Sequence, residues 1–183
     1  MLIVSLDHGM SSGCAVLEAL SGEPPVLISS YQVPGGASGL IELLGVLQEF
    51  QGNSVWICEK FTARNTRGFS YTTAALEPLR CEGVLIAKGL MPDYTPKERR
   101  WRDPGLQYLV GGKDLAAKRS RQHAFLEDSG FYRTNKDFPD SPSKDKADDF
   151  RSAAAHGIAY LAREVGNKPA FSMIADWVES HGG

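Results

Sequence analysis

Apolar residues open the chain in a nearly unbroken run, LIVSLD at 2 to 7, and similar runs recur as GCAVLEAL at 13 to 20 and VLISSYQV at 26 to 33. Turn formers separate them, His8-Gly9 after the first run and Ser21-Gly22-Glu23-Pro24-Pro25 after the second. Short apolar runs bounded by such residues predict strands, and successive strands joined by tight turns predict an antiparallel meander. The period then changes. In ASGLIELLGVLQEFQG (37 to 52), Leu40, Leu43, Leu44 and Leu47 recur at helical spacing, with Gly52-Asn53 as the stop. SVWICEKF (54 to 61) follows as a short apolar run ending in a charged pair, which predicts a buried strand parallel to the first, reached by a helical crossover.

Beyond a polar loop at 62 to 70, the pattern predicts a helix from Tyr71 to about Gly89, with Pro78 inside it and Ala75, Leu79, Val84 and Ile86 available for burial. MPDYTPKERRW reads as an edge strand in which Pro96 ends pairing. DLAAKRSRQHAFLEDSG predicts a helix closed by Gly130, and residues 131 to 144, rich in turn formers, predict a loop or lid prone to disorder. DKADDFRSAAAHGIAYLAREVG predicts a long helix with Phe150, Ala154, Ile158 and Leu161 on one face, and a helix led by Pro169 reaches Trp177 and Val178. This order of elements predicts an α/β fold, a mixed sheet with helices on its faces.

The 183 residues suit one domain, and a 42% apolar, 23% charged composition excludes collagen-like, coiled-coil and globally disordered chains. Twenty Lys and Arg against 22 Asp and Glu leave a formal charge of -2, so a polyanion site has to be a local patch. Without a long apolar run, neither a membrane span nor a signal peptide is expected, which predicts a cytoplasmic protein. Cys14, Cys58 and Cys81 are odd in number and lack CxxC spacing, which argues against disulfides and zinc sites.

Acids placed at element ends carry the chemistry. Asp7 ends the first strand and Glu59 the strand SVWIC, so if those strands are parallel the two carboxylates emerge side by side. Each also has a plain structural role open to it, Asp7 as a turn cap and Glu59 as a partner of Lys60, Arg64 or Arg67. Asp145 and Asp148 open the long helix at i and i+3 and share a face, with Asp149 rotated off; alternatively they serve only the helix N-terminus. Four carboxylates in one cleft would repel by about 4 kcal/mol per pair at ~4 Å and an effective dielectric of 20, which only cations make tolerable. Oxygen-only ligands select Mg²⁺ or Mn²⁺ over zinc, and two such ions suit phosphodiester hydrolysis. His8, His123, His156 and His181 lack HxxxH spacing and read, beside such chemistry, as capping or surface residues. Trp56 and Trp177 read as core, and Trp101 as a subunit or DNA contact.

The blocks LIVSLDHGMSSGCAVLE, VWICEKF with TTAALEPLRCEGVLIAKG, PDYTPKE and DKADDFRSAAAHGIAYL resemble, in order and spacing, those of RuvC-type Holliday junction resolvases of the RNase H-like (retroviral integrase-like) superfamily. The resemblance spans about residues 1 to 165 as a nuclease domain, leaving 166 to 183 as a helical extension, and DDFRS is similar to phage-encoded members. It implies a five-stranded RNase H-like sheet flanked by helices, with Asp7, Glu59, Asp145 and Asp148 as catalytic metal ligands and Asp149 as the competitor for the last role. It further implies two Mg²⁺ ions per active site with Mn²⁺ as a substitute, four-way junctions as substrate, and a homodimer, since paired nicks on a two-fold symmetric junction call for two sites.

Positive charge is available for DNA. Between Lys88 and Gln122, nine basic residues, among them Lys97, Arg99, Arg100, Lys113, Lys118, Arg119 and Arg121, stand against four acids. Lys60, Phe61, Arg64 and Arg67 add charge and a stacking surface directly after Glu59. A debranching nuclease acting on flaps and forks, and a catalytically inactive junction-binding protein, are the alternatives.

Overall fold

Strands β1 (Leu2–Asp7), β2 (Ser11–Glu18) and β3 (Val26–Pro34) form the meander that the apolar runs predict, each pairing antiparallel with the next. The computed structural model describes residues 1–59, 72–90, 93–95, 105–131 and 148–182. After β3 come α1 (Gly36–Val46), which ends in a 3-10 turn at Leu47–Phe50, and β4 (Ser54–Glu59). Strand β4 lies parallel to β1, as a helical crossover requires, and β5 (Asp93–Thr95) adds three residues in parallel beyond it. The sheet order is β3-β2-β1-β4-β5. The remaining helices are α2 (Thr73–Ala87), α3 (Leu106–Leu109), α4 (Leu115–Asp128), α5 (Asp148–Arg163) and α6 (Lys168–Ser180). None of these helices is long and apolar enough to cross a membrane.

Strand alternation divides the core in two. Val4 and Leu6 of β1, Cys14 and Val16 of β2, and Trp56 and Cys58 of β4 pack against α1 and α2. Ile3, Ala15, Leu17 and Ile57 face the other way, onto Phe150, Ala154, Ile158 and Leu161 of α5, with Phe125 of α4 and Ala170, Ile174 and Trp177 of α6 in the same layer. All three cysteines are buried, and none is in a disulfide.

Helix α2 presents a different face from the one its apolar residues predict. Leu79 and Ile86 are 52% and 55% exposed, whereas Glu77, Cys81, Glu82 and Leu85 are buried. The reason lies at the start of α1, where Gly35 and Gly36 hold φ of 95° and 58° and the helix has no side-chain cap of its own. Glu77 supplies the missing acceptor. Its Oε1 takes the Ala37 N–H at 2.8 Å and its Oε2 takes Arg80 Nη1 at 3.1 Å. Turning Glu77 inward brings Cys81 and Leu85, at i+4 and i+8, into the core with it. Glu77→Ala is expected to lower stability by about 1–2 kcal/mol, since a buried helix terminus loses its acceptor. A lower urea midpoint at unchanged slope is the readout.

Helix α6 belongs to the same core. Trp177 donates from Nε1 to Asp128 Oδ2 at 2.8 Å and meets Phe125 edge to face at 5.7 Å.

Candidate metal centre

Register and alternation together place the two strand-end acids. In the β1–β4 pairing Leu6 stands opposite Cys58, so the next step sets Asp7 beside Glu59 on neighbouring parallel strands. Asp7 follows Ile3 and Ser5 on the face that meets α5, and Glu59 follows Ile57 onto that face.

Helix α5 runs antiparallel to β1 along this face, and two glycines set how closely it lies. Gly13, the β2 partner of Asp7, sits under the Asp149–Phe150 peptide, where any Cβ would overlap helix backbone. Further along, the Ser5 hydroxyl donates to Ala153 O at 2.6 Å, and Gly157 rests on Leu17 and Ser5. The N-terminus of α5 therefore lies over the ends of β1 and β4, with Asp149, Ser152 and His156 spaced i, i+3 and i+7 along one stripe. One ligand atom each from Asp7, Glu59 and His156 lie within 4.8 Å of one another, and all three residues are half-buried. On the other side, Gln32 of β3, which pairs with Gly13, donates from Nε2 to Asp149 Oδ2 at 3.4 Å.

Burial pushes the Asp7 carboxyl up from 3.8 to about 6. The electrostatic interaction with His156 pulls it back, the Asp149 and Glu59 charges raise it again, and a hydrogen bond from the Ser152 side chain lowers it. A carboxyl that holds its proton more tightly folded than unfolded stabilises the fold fully below 3.8 and loses that contribution as pH rises through about 6. Between pH 4.5 and pH 7, cation-free protein is thus expected to lose on the order of 2 kcal/mol, and Asp7→Asn to flatten the dependence. Urea midpoints measured at pH 4.5 and pH 7 for both proteins check this.

The donor set suits a divalent cation. Two carboxylates and an imidazole are spaced to reach one ion, and a cation would offset the repulsion and burial that burden Asp7.

Of the acids expected from the sequence, Asp7 and Glu59 come together. Asp148 begins α5 but its side chain, like Asp145, lies outside the described residues. Asp149, expected to be rotated away, has its charge felt at Asp7. His156, expected as a cap or surface residue, has a ring nitrogen within 4.8 Å of both strand-end carboxylates. Its signal was in the sequence: the stripe 149, 152, 156 follows the same helical spacing that pairs 145 with 148.

Lys60, Phe61, Arg64, Arg67, Lys97, Arg99, Arg100 and Trp101 lie outside the described residues. Lys113 and Arg119 are exposed, while the Lys118 ammonium sits 4.3 Å above the Tyr108 ring. Arg121 is engaged in tertiary structure. Its Nε donates to Val110 O at 2.7 Å, its Nη1 donates to the His181 and Gly182 carbonyls, and its guanidinium lies 5.0 Å over Trp177.

No protein-family profile and no curated protein matches the sequence. Solved structures do match it. RuvC of Thermus thermophilus aligns at 15% identity and a TM-score of 0.52 over 90% of this chain and 97% of its own. The same protein in complex with a Holliday junction substrate aligns at 16% and 0.55, covering 90% and 96%. The fowlpox virus resolvase in complex with Holliday junction DNA aligns at 16% and 0.51, covering 87% and 98%. The fold is thus the RNase H-like fold of RuvC, and the strand-end acids with His156 form a candidate cation site within it.

Proposed function

We propose that this chain is a metal-dependent, structure-selective DNA endonuclease that resolves Holliday junctions by symmetric nicking. The observation that carries the reading is the convergence of Asp7, Glu59 and His156 at the ends of two adjacent parallel strands. The likeness of the whole fold to two resolvases solved with junction DNA supports it.

In this reading Asp7 and Glu59 hold divalent cations, with Asp145 and Asp148 as further ligands from the segment that opens α5. When bound, two Mg²⁺ ions, or Mn²⁺ in their place, supply the Lewis acidity that lets water displace the 3′ oxygen of a phosphodiester. The protein's part is to hold the carboxylates close to one another. Ser152 favours the charged form of Asp7 through its hydrogen bond, and Gln32 holds Asp149 beside it. Lys113, Lys118 and Arg119, with the basic residues of the 60–67 and 97–100 segments, supply phosphate contacts.

A two-fold symmetric substrate calls for a homodimer. The exposed stripe of Leu79, Gly83 and Ile86 on α2 supports that helix as the contact. In this reading the protein works where the DNA it cuts lies, in the cytoplasm, that of a bacterial host if the gene is phage-borne.

The test is incubation with a synthetic four-way junction, with and without Mg²⁺, and mapping of cuts on all strands. Paired nicks at symmetric positions, with 5′-phosphate and 3′-hydroxyl ends, are expected only with the cation. Equal cutting of flaps and forks would replace junction resolution with general debranching. Binding without cutting under any divalent cation would replace the enzyme with a junction-binding protein.

A further inference from the structure

Carboxylates alone choose among cations weakly, because Mg²⁺, Ca²⁺ and Mn²⁺ all take hard oxygen ligands. The centre at the ends of β1 and β4 adds a nitrogen. A ring nitrogen of His156 shares the 4.8 Å span with Asp7 and Glu59, so all three donors reach one ion. The fold holds the ring there. His156 lies on the sheet-facing stripe of α5, and its neighbour Gly157, lacking a side chain, rests on Leu17 and Ser5 and keeps that turn of helix close to the sheet. The imidazole is half-buried there.

We propose that His156 is the nitrogen ligand of a mixed site with Asp7 and Glu59, and that it gives this centre a preference for a first-row transition ion, with Mn²⁺ the member best suited to the carboxylates, over Mg²⁺. The inference rests on the metal-dependent reading above and adds the class of cation. Mg²⁺ demands near-ideal octahedral oxygen coordination and gives up water reluctantly, whereas imidazole suits transition ions. Mn²⁺ still accepts the two carboxylates. The alternative is that His156 acts only as a positive partner of the acids. It would then donate hydrogen bonds to them and leave the cation when one binds.

Manganese makes the distinction measurable without turnover. The full-length protein is titrated with Mn²⁺ alone and in competition with Mg²⁺, free Mn²⁺ is read by electron paramagnetic resonance, and the bound ion is examined by pulsed echo modulation for an imidazole nitrogen. Mn²⁺ is expected to bind about tenfold or more tightly than Mg²⁺, with nitrogen coupling present. His156→Asp, which offers an all-oxygen set, is expected to lose the coupling and bring the two affinities to within about threefold. Bound Mn²⁺ without nitrogen coupling, equal affinities in the unaltered protein, no binding of either ion, or a preference that persists in a folded His156→Asp each overturns the proposal. The spectrum of the unaltered protein does not depend on any variant folding. Nitrogen coupling in a protein that leaves junctions uncut would remove the nuclease reading and leave this one standing, and junction cutting with purely oxygen-bound Mn²⁺ would do the reverse.

Discussion

Asp7→Asn is expected to abolish metal-dependent cutting of a four-way junction, by about a thousandfold or more, while junction binding persists. The amide keeps the shape of the carboxyl but removes the charge that the cation meets at the strand end. Lewis-acid stabilisation of the reacting phosphate is worth several kcal/mol, and about 4 kcal/mol corresponds to three orders of magnitude in rate. In the proposed reading binding rests on basic side chains elsewhere, so the affinity and its dependence on salt should change little. Loss of the buried carboxylate should also leave the cation-free variant somewhat more stable at pH 7 than the unaltered protein, since the burden on Asp7 comes chiefly from burial. A variant that is stable, binds junctions and fails to cut is the expected combination. Retained metal-dependent cutting would remove Asp7 from the active centre.

Gly13→Ala is the second large effect, and it acts without touching a charged group. A methyl group there would overlap the backbone between Asp149 and Phe150, which no rotamer change relieves. The first turn of α5 has to lift, drawing Asp149 away from Asp7 and spoiling the seat of His156. Overpacking against rigid backbone costs about 3 kcal/mol, the upper end of the usual range. Gly45→Ala is the matched control. Gly45 lies in α1, an added Cβ there meets no atom within 4 Å, and alanine in a helix is favoured by roughly 0.8 kcal/mol. Thermal melts with and without Mn²⁺ read both effects. Gly13→Ala should melt earlier and lose the rise that the cation gives, and Gly45→Ala should keep it. Equal stability of the two variants would show that α5 does not rest on β2 as closely as Gly13 allows.

Much of the fold was legible because its elements are locally consistent. The strands 2 to 7 and 26 to 33 and the parallel strand from 54 are marked by apolar runs between turn formers, and β1 and β4 end at the expected acids. The buried face of α5 follows from its period, since Phe150, Ala154, Ile158 and Leu161 are all in the core. Helix α3, four residues long, is shorter than a helical pattern can reveal. The inward face of α2 was not legible, because the deciding interaction is the long-range cap from Glu77 to Ala37, forty residues apart in the chain. The loop expected at 131 to 144 lies outside the described residues after Phe131, which is itself buried.

For the centre, the sequence by itself determined that Asp7 and Glu59 end two strands and, once those strands are parallel, that their carboxylates stand in adjacent register on one face. Strand alternation and pairing are local rules, and they suffice for that much. Only the tertiary structure decided what completes the set. The direction and height of α5 over the sheet depend on Gly13 and Gly157, two positions where the absence of a side chain matters more than any residue's chemistry. That packing brings His156 to the carboxylates and joins a nitrogen donor to a site that the sequence alone describes as all oxygen.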